Sequence, residues 1–136
     1  MSYGAAAALQ AAVYQALSDD AALTALVGNA IFDTAPPGPL PPIYVALGSE
    51  DVRDRSDMTG HGAAHDLLVS VVADAGGFQT AKQAAAAVSD VLVDADLSLS
   101  RGALVSMQFL RATARQTSQG RARRIDLRFR ARVSDD

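Results

Sequence analysis

Apolar and polar residues alternate most regularly near the end of the chain. Ile125, Leu127, Phe129, Ala131 and Val133 lie on one side, and Arg124, Asp126, Arg128, Arg130 and Arg132 on the other. Successive strand side chains point to opposite faces, so this period of two predicts a half-buried strand with a basic outer surface. The segment HDLLVSVVAD (65–74) is apolar almost throughout, which predicts a strand covered on both faces or central in a sheet. Its β-branched valines favour a strand over a helix. Gly76-Gly77 then ends the run in a turn, since two residues without a Cβ let the chain reverse. From Phe78 to Asp94 the period changes: Phe78, Ala81, Ala85, Val88 and Leu92 follow the spacing of one helix face. The small residues Ala84 to Ala87 let that helix sit close on a sheet.

The remaining elements follow from the same periodicities. Leu9, Val13, Ala16 and Leu17 make one stripe, predicting a helix over Tyr3 to Leu17. A second short helix follows, capped by Ser18 or Asp19 and closed by Gly28. Ala30-Ile31-Phe32 is a short extended segment, and the prolines between Pro36 and Pro42 make a rigid loop. Ile43, Val45 and Leu47 alternate as a strand. Glu50 to Ala64 mixes acids, bases and glycines without a period, which predicts an exposed, mobile loop of a length associated with function. After a connection over Ala95 to Gly102, Val105, Met107 and Phe109 share one parity and Leu110, Ala112 and Ala114 the other. A bulge near Phe109 is therefore expected, because one inserted residue switches the buried face. Gln116 to Gly120 forms the turn into the last strand. The expected fold is α+β: a mainly antiparallel twisted sheet of four to five strands with two main helices packed on it, in a single domain over residues 1–136.

Charge is unevenly placed. The formal net charge is −3, yet residues 1–100 carry 3 Lys/Arg against 12 Asp/Glu and residues 101–136 carry 9 against 3, or −9 and +6. Such a split fits pairing within one domain, contact between oppositely charged surfaces of identical subunits, or a basic surface for nucleic acid. The chain has no cysteine, which removes disulfides and thiolate metal sites. No apolar run reaches the roughly 20 residues that span a bilayer, and the start MSYGAAAALQ has no basic n-region. A soluble chain is expected.

Catalytic chemistry finds little to stand on. His61, His65 and Asp66 invite a metal or acid–base reading, but Gly60, Gly62 and the strand that follows speak against the helix that would put positions four apart on one face, and no third ligand is evident. There is no G-x-S-x-G turn, and the glycines at 76–77 fit neither a P-loop nor a dinucleotide fingerprint. These features argue against enzymatic activity, a metal or a cofactor. The arginine face of the last strand suits a row of carboxylates or a row of phosphates. Its arginines can be solvated or paired internally, can meet a subunit or another protein, or can contact nucleic acid. No exposed position between Arg124 and Arg132 is aromatic, so the stacking platforms common in single-strand recognition are missing, and the protein-contact reading gains.

Taken together, ALQAAVYQALSDDAALTALVG, IFDTAPPG, PPIYVALGSEDVRD, TGHGAAHDLLVSVVAD, GGFQTAKQAAAAVSDVL and RRIDLRFRARV resemble, in order and spacing, the tail-terminator (tail-completion) family of long-tailed phages and gene transfer agents. The likeness covers nearly all of residues 5–133 and lies nearest to members from gene transfer agents and prophages of alphaproteobacteria. It implies a structural virion protein at the head–tail junction, assembled in the bacterial cytoplasm as a homohexameric ring. Such a ring caps the tail tube protein and joins it to a head-side connector or stopper, leaving a channel for DNA without sequence-specific binding. No membrane contact is implied. Residues suited to subunit or partner contact are Arg53, Asp54, Arg55, Asp57 and His61 in the loop and Arg124, Arg128, Arg130 and Arg132 on the last strand. The alternative from another class is a small nucleic-acid-binding module using the arginine strand.

Overall fold

A computed structural model describes residues 3–33, 38–56, 60–74, 78–117 and 122–135. Its elements run α1 (Ala6–Asp19), α2 (Ala21–Val27), β1 (Ile31–Phe32), β2 (Ile43–Asp54), β3 (Gly62–Asp74), α3 (Phe78–Leu92), β4 (Ala103–Gln116) and β5 (Ala122–Ser134). The strands form one sheet in the order β1-β2-β3-β5-β4. It is mixed: β1 lies parallel to β2 at Ile31–Val45 and Phe32–Ala46, and every other pairing is antiparallel. The α+β expectation holds, and β3 is central as its two-sided apolar pattern demands.

The helices gather on one side of the sheet because only that side carries a continuous apolar surface. Val45, Leu67, Val69, Val71, Ile125, Leu127, Phe129, Ala131 and Val133 meet Leu9, Val13, Leu17 and Leu23 of α1 and α2 and Ala81, Ala84, Ala85, Val88 and Leu92 of α3 in one core. Alanine dominates the buried stripe of α3, which keeps its axis close to the sheet. Asp20 caps α2, accepting a hydrogen bond from the Leu23 backbone N–H at 2.8 Å, a position one or two residues beyond the expected Ser18 or Asp19. Gly28 closes α2 at φ +64°, where its N–H donates to the Thr24 carbonyl at 2.8 Å.

Three expectations need correction or limits. Glu50 to Ala64 is not one long loop. β2 continues through Asp54 and β3 begins at Gly62, with Glu50 paired to Leu67, Val52 to His65 and Asp54 to Ala63. An irregularity between Leu47 and Glu50 shifts the parity, so the alternation resumes on shifted positions, and the pattern looks aperiodic although the strand is continuous. The expected bulge of β4 lies between Phe109 and Arg111, as predicted, but a second lies between Leu104 and Ser106. The second one turns Val105 outward, 66% exposed, while Leu104 sits against the core in its place. The turn at Gly76-Gly77, the loop positions Pro36 and Pro37 and most of the Gln116–Gly120 turn lie outside the described residues.

Candidate functional site

The face of the sheet opposite the helices is polar, and the pairing of β3 with β5 explains its arrangement. Paired residues share a face, so Asp66 lies beside Arg130, Leu68 beside Arg128, Ser70 beside Asp126 and Val72 beside Arg124. β4 adds Arg111 opposite Arg128 and Arg115 opposite Arg124, and β2 adds Asp51 and Arg53. With Arg132 beside Ala64, seven arginines among the described residues share this face with three aspartates.

Two of the aspartates pair with four of the arginines. The Arg130 guanidinium donates to Asp66 Oδ1 and Oδ2 at 2.7 and 3.1 Å, and Arg53 donates to the same carboxylate at 3.1 Å. The forked geometry matches the planar donors of guanidinium to both carboxylate oxygens. Further along, Asp126 accepts from Arg124 Nε at 2.9 Å and from the Ser70 hydroxyl at 2.7 Å, with Arg115 at 3.6 Å. Ser70 is buried and also accepts from Arg124, which makes this cluster the more rigid of the two. Arg111, Arg128 and Arg132 take no ion pair among the described residues. Arg111 and Arg128 stand directly opposite each other, a like-charge pair that weakens the free sheet and favours a docked anion.

Hydrogen bonds from Arg130, with the nearby charges of Arg130 and Arg53, hold the Asp66 carboxyl below the ordinary carboxylate range. Burial pushes Asp126 up, but donation by Ser70 and Arg124 outweighs it and its pKa also falls. A lowered folded-state pKa contributes stability that is fully present above the unfolded value, near 3.9, and is lost as pH falls through the folded value. Stability of the wild type is therefore expected to drop below about pH 4. Thermal melts in this acid range should show a shallower pH slope for Asp66→Asn/Asp126→Asn than for wild type, and equal slopes would show that these carboxylates do not carry the acid sensitivity.

The sequence-selected residues divide into two places. Arg53, Arg124, Arg128, Arg130 and Arg132 share the outer face, with Arg53 on β2 rather than in the expected loop. Asp54, Arg55 and His61 lie at the β2–β3 turn, and Asp57 lies outside the described residues. That turn is pinned at its ends, contrary to the mobility expected of the whole segment: Arg55 N–H donates to the Gly62 carbonyl at 2.8 Å, and Asp54 Oδ1 accepts from Ser56 N–H and Oγ at 3.2 and 2.7 Å. The Ser56 hydroxyl lowers the Asp54 pKa. Missing from the sequence selection were Asp66 as a partner for arginine and the cations Arg111 and Arg115 of β4. The β3–β5 register finds Asp66 and the β4–β5 register finds Arg111 and Arg115, and both need the fold.

His65 is not the loosely placed strand-start residue its position suggests. It is fully buried, Nδ1 lies 3.1 Å from Glu50 Oε2, and Nε2 has no hydrogen-bond partner among the described residues. Tyr3 donates to the same Glu50 carboxylate at 2.6 Å, raising its own phenol pKa and tying the start of α1 to β2. Among the described residues no three His, Asp or Glu side chains are grouped to hold a metal ion. The arrangement as a whole is an ionic surface on a rigid sheet, suited to contact rather than to bond-making chemistry.

Known proteins agree with that class. The family model of tail completion protein gp17 matches residues 11–134, and the chain belongs to that family. It is a structural tail protein, not an enzyme. A chain in the structure of the virion of a native gene transfer agent (GTA) particle is 64% identical, with a TM-score of 0.92 over 98% of this chain and 99% of that one. No curated protein matches.

Proposed function

We propose that the chain, acting as a single domain, is the terminator of a phage-like tail: a hexameric ring that caps the tail tube, joins it to the head-side connector or stopper, and leaves a channel for DNA. The observation that carries this reading is the match over nearly the full length to a chain of a gene transfer agent virion, together with membership of the tail completion family. The seat is the virion at the head–tail junction. The uncovered ionic face supports it, since an arginine-rich sheet surface with three cations unpaired among the described residues is suited to an acidic protein surface. A ring of identical subunits needs two different complementary patches on each, and the contrast between the acidic first hundred residues and the basic remainder supplies them.

The mass of the protein in solution tests this, by light scattering at several concentrations, alone and with polymerised tail tubes. A mass near six chains, or capping that appears only with tubes, is the expected result. Assembly on the tube alone is compatible because neighbouring docking sites raise the effective concentration. A monomer that ignores tubes but binds oligonucleotides with steep salt dependence would replace the terminator by a nucleic-acid-binding module.

A further inference from the structure

We infer that successive copies join head to tail by adding the β4 edge of one sheet to the open β2 edge of the next, an inference that rests on the ring reading above. Among the described residues β4 pairs only with β5, and the connection after α3 touches its other edge where Asp94 N–H donates to the Met107 carbonyl. From Gln108 to Gln116 every residue is exposed. At the opposite end of the sheet β1 covers β2 only at Val45 and Ala46, leaving the Leu47–Asp54 edge without a neighbouring strand among the described residues. An uncovered edge presents backbone N–H and C=O groups that pair readily with another strand.

Charge selects the occupant. After its bulge, β4 carries Arg111 and Arg115 and no acid, whereas the open part of β2 carries Asp51 and Asp54, besides the inward-facing Glu50, against one arginine, Arg53, which is held by Asp66 at 3.1 Å and lies 3.8 Å from Asp51. Arg111 and Asp51 lie on the same, outer side of their sheets, so edge-to-edge addition brings unlike charges together. Within one chain the two edges cannot meet, because β3 and β5 separate them. A second copy can bring them together.

The helix side fits as well. Phe109 is 46% exposed, and with Ala112 and Ala114 it floors an apolar groove that α3 leaves open. At the far edge α1 overhangs β2 through the Tyr3–Glu50 hydrogen bond, and Tyr3, Ala7, Ala11 and Tyr14 line a second groove there. Adding β4 to β2 places the exposed Phe109 beneath that overhang and covers apolar surface on both copies. Two different edges in one contact make it heterologous, which closes into a ring when the rotation permits.

Cysteine cross-linking tests the contact, since the natural chain has no cysteine to interfere. Ser49→Cys and Thr113→Cys, both at exposed positions, are made in separate full-length chains, mixed with tail tubes, and treated with a short flexible bis-maleimide. Covalent pairs joining one chain of each kind are expected to dominate in assembled material. Assembly in which cross-links are absent, or join only Thr113→Cys chains to each other, would overturn the edge contact while leaving the ring intact. Failure of the unsubstituted chain to assemble alone or on tubes would remove the ring reading and this contact with it.

Discussion

Phe129→Ala is expected to destabilise the fold by about 3–5 kcal/mol, a large share of the roughly 5–15 kcal/mol that holds a domain of this size together. Phe129 is fully buried in the middle of β5, paired with Leu67 on β3 and edge-on to Phe109 of β4 at 5.9 Å and 70°. Strands on both sides and helices above fix its surroundings, so the space left by the ring cannot collapse fully, and the cavity adds to the lost transfer energy. Denaturant unfolding should show a lower midpoint with an unchanged slope, the signature of lost stability rather than of an altered unfolded state. Phe109→Ala, removing the other ring of the pair, should cost much less, on the order of 1 kcal/mol, because nearly half of that residue already faces solvent. Equal losses from the two variants would mean that the core does not centre on β5.

The difference between those two phenylalanines shows what the sequence could reveal. β5 was legible because one face is buried along its whole length, and burial writes a strict period of two into the residues. α3 was legible for the same reason at a period near 3.6. The second half of β2 was not. There the inward-facing position that follows the bulge is Glu50, whose carboxylate is matched by a buried histidine and a tyrosine just before α1. A polar residue with distant polar partners looks like a loop residue until the fold brings the partners together. Val105 misled in the opposite direction: its side chain is apolar, but a bulge turns it to solvent.

The candidate site was legible as a composition and not as a geometry. Alternation alone puts Arg124, Arg128, Arg130 and Arg132 on one face, and the structure keeps them there. It cannot tell which are spent on internal pairs, because that depends on Asp66 from β3, sixty-four residues before Arg130 in the chain. Once the register is known, the face separates into two ion-paired clusters, with Arg111 and Arg128 facing each other between them and Arg132 near the end of the sheet.

That separation makes Arg128→Ser/Arg132→Ser the most informative change to the outer face. Both side chains are exposed and neither takes an ion pair among the described residues, so folding stability should shift by no more than about 0.5 kcal/mol. Removing Arg128 also relieves its repulsion with Arg111, which offsets any loss of packing by the arginine stem. Arg130→Ser would be harder to interpret, since it takes two hydrogen bonds from Asp66 and leaves that carboxylate with Arg53 alone. For the double variant, a normal melting temperature combined with loss of ring formation or of docking to tube or connector is the expected result, read by light scattering and by co-sedimentation with each partner. The defect should be mimicked in wild type by high salt, because exposed charges beyond a Debye length are screened and short contacts weaken with them. Wild-type assembly and docking in the double variant would show that the uncovered arginines are solvated in the finished particle. The partner surface would then have to be sought at the acidic open edge of β2, where the chemistry of the contact is correspondingly different.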